Sequence, residues 1–149
     1  MNIIPLKDFW RLRLSKLLPG RQASFTWSFE YLDRLWLGDT HGFSHAMRPY
    51  SSPFRTKSIA IDMQDVSHEA LMHLSEQLGI ELKPSLTADE CLNKYGAPNR
   101  IEEYADDRKT YSFMVGPEYE VGFTVLNAGG LVYFTMETSD VAYSEQEEA

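Results

Sequence analysis

The chain has 149 residues, 43% hydrophobic, 13% aromatic and 24% charged, with a net charge of −8. That length and apolar content suit one hydrophobic core and exclude a disordered chain, while the acidic balance argues against nucleic acid as a partner. The single cysteine excludes an internal disulfide, and no apolar run approaches the ~20 residues of a membrane span.

In chain order, Pro5 to Leu18 reads as a helix with Phe9, Trp10, Leu14 and Leu17 on one broad side, ended by Pro19 and Gly20. Its start lacks the uninterrupted apolar stretch of a signal peptide, so a cytoplasmic protein is expected. Ser24 to Leu37 reads as a second helix stopped by Gly38, although Phe25, Trp27 and Phe29 also alternate as in a strand. Asp39 to Arg55 has no period, two prolines and many small polar residues, which predicts a long loop. Lys57 to Met63 alternates Ile59, Ile61 and Met63 with polar or small residues and reads as a strand.

The remainder is more sharply punctuated. Ser67 is placed to cap a helix, Val66 and Leu71 to staple its entry, and Leu71, Leu74 and Leu78 form one side before Gly79 ends it. Thr87 and Glu90 then make a capping box, and Ala88, Cys91, Leu92 and Tyr95 share one face before Gly96 and Pro98 forbid continuation. From Arg100 the period falls to two. Tyr111, Phe113 and Val115, then Tyr119, Val121, Phe123 and Val125, occupy the core side of strands separated by turns at Asp106-Asp107 and Gly116-Pro117. A last turn at Asn127 to Gly130 leads to a strand over Leu131 to Glu137. Such short connections favour a meander. The expected fold is α+β: an antiparallel β-meander of about four to five strands packed on two to four helices, as a single domain over 1–143 with an acidic tail over 144–149.

Charge is unevenly spread. Residues 1–57 hold nine Lys or Arg against four Asp or Glu, whereas 58–149 hold five against eighteen. The acidic half would repel nucleic acid and attract a basic protein. Within it, Glu102, Glu103, Asp106, Asp107, Glu118 and Glu120 interleave with Tyr104, Tyr111 and Tyr119. Tyrosine gives contact area at low entropic cost and carboxylates steer, so these nine residues form the expected partner-binding surface. A second set of possible contacts, His41, His45, Arg48, Tyr50 and Arg55, lies in the predicted loop and suits a phosphate or an acidic partner.

No group has the spacing of a catalytic or metal motif. His41 and His45 are four apart but bracket a glycine and lack a third ligand. Cys91 falls on the buried side of its helix with no base at hand, and neighbouring carboxylates on a strand face opposite ways. No metal or cofactor is expected.

The run from Thr87 to Pro98, a short helix ending in Gly-x-Pro and followed by strands, resembles the helix-then-meander unit of β-lactamase-inhibitor-protein-like folds and of small outer-membrane assembly lipoproteins. That resemblance implies a non-enzymatic binder of other proteins. Size and acidity are similar to those of bacterial immunity proteins, which implies neutralisation of a basic toxin domain. Two alternatives stand beside this expectation: a small-molecule pocket lined by Trp27, Trp36, Tyr111 and Phe123, and a membrane-surface role for the Pro5 to Leu18 helix.

Overall fold

A computed structural model of the protein describes residues 2–12, 27–31, 34–38, 43–47 and 56–139. The chain divides into two compact units, Met1–Leu82 and Lys83–Ala149.

In the first unit, helix α1 (Leu6–Trp10) is followed by strands β1 (Trp27–Tyr31), β2 (Arg34–Gly38), β3 (Phe43–Met47) and β4 (Thr56–Asp62), then helix α2 (His68–Leu78). The strands pair antiparallel in sequence order. The structure departs from expectation at three places. The region Ser24 to Leu37 holds no helix among the described residues but a strand pair, with Phe29 opposite Trp36, so the alternation of Trp27 and Phe29 was the governing signal; Phe25 lies outside the described residues. The predicted loop Asp39 to Arg55 contains β3, in which Phe43, His45 and Met47 alternate with Ser44 and Ala46. The first helix is only five residues long, and Arg11 has already left helical geometry; the rest of the expected helix, Arg13 to Leu18, lies outside the described residues.

The α1 segment packs inward. Phe9 and Trp10 are buried, and the Thr56 hydroxyl of β4 donates to the Leu12 carbonyl at 2.9 Å. A membrane-docking helix would have to present those two aromatics outward, so the membrane-surface alternative loses its apolar face.

Helix α2 forms as its sequence dictates. Ser67 Oγ accepts from the Ala70 amide at 3.1 Å, and Gly79, at φ +72°, lets the Ile80 amide return to the Ser75 carbonyl at 3.2 Å. Gly79 has a second reason to lack a side chain. A Cβ there would lie 1.7 Å from the Asn2 carbonyl oxygen, because residues 2–4 run against the helix end and the Ile4 amide donates to Leu78.

The second unit is helix α3 (Ala88–Tyr95) followed by β5 (Arg100–Ala105), β6 (Arg108–Val115), β7 (Tyr119–Leu126) and β8 (Leu131–Thr138). Each strand pairs antiparallel with the next, giving the expected meander, and the class is α+β. One face is core. Phe134, Phe123, Tyr111 and Ile101 line up across the four strands, beside Met136, Val121 and Phe113. Helix α3 covers part of this face through Tyr95, whose ring stands 5.3 Å from Phe113 and 5.4 Å from Phe123. The Phe123 ring is also 5.2 Å from Phe134. The opposite face is a hydroxyl-rich row of Thr135, Gly122 and Ser112 ending at Arg100, with Thr110 and Thr124 hydrogen-bonded to each other at 2.7 Å.

Candidate functional site

The nine residues expected to form one acidic, tyrosine-bearing surface are dispersed by the pleat. Strand alternation sends Glu102 and Tyr104 to the hydroxyl-rich face and Glu103 to the core face. Tyr104 donates its phenol to Glu102, and Arg100 bridges Glu102 at 3.3 Å and Glu120 at 2.7 Å. Asn99 adds a side-chain amide to Glu120 at 3.3 Å. Glu103, on the other side, meets Lys109 at 3.6 Å.

Tyr119 is the clearest correction. It is fully buried and shares its face with Val121 and Phe123, so it cannot touch a partner. The signal was available, since Tyr119 has the same parity as those core residues. Tyr111 is half-buried in the core-face row, next to Ile101.

The turns separate the rest. Asp106 and Asp107 lie at one end of the eight-residue β6, and Glu118 lies at its other end. At about 3.3 Å per residue these carboxylates are about 25 Å apart. The 106–107 turn is held by Asn127, whose side-chain amide donates to the Asp106 carbonyl at 3.0 Å and whose backbone amide donates to the Asp107 carbonyl at 2.8 Å. Arg108 forks onto Asp107 at 2.9 and 3.1 Å, which holds the Asp107 carboxyl below its ordinary range. The phenol of Tyr104 is shifted the other way, upward, because Glu102 accepts its hydrogen bond. Four of the six carboxylates are thus matched by internal cations, leaving Asp106 and Glu118 outside any ion pair among the described residues.

What does stand out is β5 itself, including residues that sequence reasoning passed over. It is the outermost strand of the meander, pairing with β6 on one edge, and five of its six residues are exposed. Ile101 is 53% exposed and Tyr104 is 74% exposed. Ile101 was missed because one apolar residue between Arg100 and Glu102 gives no periodic signal.

Other candidates contribute less. His45 lies in β3, opposite Leu37 and Ile59 in register; His41, Arg48, Tyr50 and Arg55 lie outside the described residues. Of the proposed aromatic pocket, Phe123 is fully buried among packed rings, while the side chains of Trp27 and Trp36 are outside the described residues. An open concavity of about 560 Å³ lies between the start of α3 (Thr87, Ala88, Asp89) and the 127–130 turn. Its helix end is already satisfied by Thr87 and Glu90, and Asp89 makes it unfavourable for an anion. Cys91 is buried, and loss of solvation pushes its thiol up to about 11, the opposite of an activated nucleophile. Among the described residues no three His, Cys, Asp or Glu are grouped to hold a metal, and no helix is long and apolar enough to cross a membrane.

No protein-family profile and no curated protein matches the chain. Among solved structures, the chain is similar to a DUF4309 family protein, YjgB, from Bacillus subtilis, at 13% identity and a TM-score of 0.41, over 82% of this chain and 72% of that one.

Proposed function

We propose that the chain is a non-enzymatic protein-binding protein that takes a basic partner on β5 and the 106–107 turn, in the manner of a cytoplasmic immunity protein neutralising a toxin domain. The observation that supports this reading is the exposure of Ile101 and Tyr104 on an edge strand whose neighbours are Glu102, Glu103 and Asp106. An edge strand offers an unpaired backbone to another chain, and Ile101 and Tyr104 add exposed apolar area to this one. The contact set is Ile101, Glu102, Glu103, Tyr104 and Asp106; Tyr119 leaves it. Because Glu102 and Glu103 already have internal cations, steering by charge is modest and the aromatic and aliphatic area carries more of the affinity.

The test is capture from a native lysate at low and high salt by the unaltered chain and by an Ile101→Ser/Tyr104→Ser variant, with identification of what is retained. A basic protein held by the unaltered chain and released by the variant is the expected result. Equal capture by both overturns the assignment to β5, and no specific capture under either condition overturns the binding role.

A further inference from the structure

We infer that β5 receives its partner by strand addition, seating a short extended segment of the pattern apolar–basic–basic–apolar along its outer edge. The inference rests on the protein-binding reading above and specifies how that surface works.

The core-face row runs Phe134, Phe123, Tyr111, Ile101, and it passes from fully buried rings to a half-buried tyrosine to an isoleucine 53% exposed. It stops one strand short of being covered. A residue placed beside Ile101 by an added strand would continue that row, so it should be apolar. The next two positions would lie beside Glu102 and Glu103, on opposite faces; the Arg100 and Lys109 cations that now meet these carboxylates do so from exposed side chains, so a Lys or Arg at each position can share or replace them. The fourth would lie beside Tyr104, whose ring offers apolar area. Among the described residues nothing pairs with this edge, and the backbone of an edge strand carries unused donors and acceptors that a peptide satisfies. The register shift between Glu102 and Ala105 falls at Glu103 and Tyr104, so the seat ends there.

A second copy of the chain fits poorly. In the antiparallel register that overlaps Ile101 to Tyr104 with itself, Glu102 meets Glu103 of the copy twice, and directly opposed like charges destabilise a strand pair. The same two carboxylates that suit a basic segment therefore discourage self-pairing.

The probe is the capped peptide Thr-Val-Lys-Arg-Val-Thr, titrated at low salt into the full ¹⁵N-labelled chain, with amide shifts as readout. Two controls accompany it: the same peptide N-methylated on alternate residues to remove donors on one edge at a time, and one with both basic residues replaced by Glu. Binding that shifts the amides of residues 100–105, and that weakens about tenfold or more with one of the two N-methylated forms and with the Glu-substituted peptide, supports strand addition. A Glu102→Lys/Glu103→Lys variant should then prefer the Glu peptide. Equal binding of every N-methylated form overturns strand addition while leaving the protein-binding reading intact. Failure of the peptide to shift β5 overturns the seat, whereas the binding role falls only if lysate capture fails as well. A concentration-dependent dimer whose formation shifts the same amides also overturns it, because the edge is then occupied by a copy of the chain.

Discussion

At the residue scale, two aromatics of the meander do opposite work. Phe123 touches Tyr95, Phe113 and Phe134 and has no exposed surface. Its truncation removes transfer energy and leaves a cavity that close-packed rings cannot refill. Phe123→Ala should therefore cost about 3–5 kcal/mol in urea unfolding. Tyr104 is 74% exposed and its phenol contacts one surface carboxylate. Tyr104→Ala should change stability by less than about 0.5 kcal/mol while abolishing partner capture. If Tyr104→Ala unfolds the protein, the residue is structural and the β5 surface loses its main anchor. Parity would have separated these roles in the sequence for Tyr119, which alternates with Glu120. It could not do so for β5, where a single exposed Ile101 among charges has no period and where the register shift is invisible before the ladder is seen.

At the element scale, legibility followed how local the determining interactions are. Helix α3 was fixed by residues three apart: the Glu90 amide donates to Thr87 Oγ1 at 3.2 Å and the Thr87 amide donates to Glu90 Oε1 at 3.3 Å. Strands β6 and β7 were legible because Tyr111, Phe113 and Val115, and then Tyr119, Val121, Phe123 and Val125, recur at every second position between clear turns. Strands β1 and β2 were not, since Leu32 and Asp33 between them lack a Gly-containing turn signal and Tyr31, Leu32, Leu35 and Trp36 also fall at the spacing of a helical face. In β3 only five residues alternate, and one of the three at odd positions is a histidine, which gives no apolar signal. The capping box also makes a pH prediction. Lys83, at 3.2 Å, and the Thr87 amide hold the Glu90 carboxyl below its ordinary value. A carboxyl whose folded value is depressed adds stability above its unfolded value, and that contribution fades as pH falls through the folded value. The stability gap between the unaltered chain and Glu90→Gln should therefore be present at neutral pH and shrink below the ordinary carboxylate value of 4.5. Thr87→Ala, which removes the cap acceptor, should cost about 1 kcal/mol at both pH values. A Glu90→Gln gap that does not change with pH would mean the box acts through geometry alone.

At the scale of the whole molecule, charge sets the behaviour that packing does not. Residues 58–149 carry eighteen acidic and five basic side chains. All five basic ones are engaged: Lys83 with Glu90, Arg100 with Glu102 and Glu120, Arg108 with Asp107, Lys109 with Glu103, and Lys94 5.7 Å from the centre of the Tyr95 ring. Eighteen carboxylates outnumber these cations more than threefold, so the surplus negative charge of this stretch repels itself. Salt acts on both sets. It weakens the exposed pairs, which contribute little, and it relieves a repulsion summed over many carboxylates. The second effect should win, because the excess of negative charge exceeds the number of pairs. Raising NaCl from low salt to about 0.2 M at neutral pH, where the screening length shrinks below ~10 Å, should therefore raise Tm. The same titration near the isoelectric point of about 4.9 should lose that effect, since the repulsion is gone while the Arg and Lys pairs persist in part. A Tm that falls with NaCl at neutral pH would show instead that the internal pairs outweigh the surplus. The acidic surface would then be largely self-neutralised in the folded chain, and the partner would have to be held by the apolar area of Ile101 and Tyr104 rather than drawn in by the field.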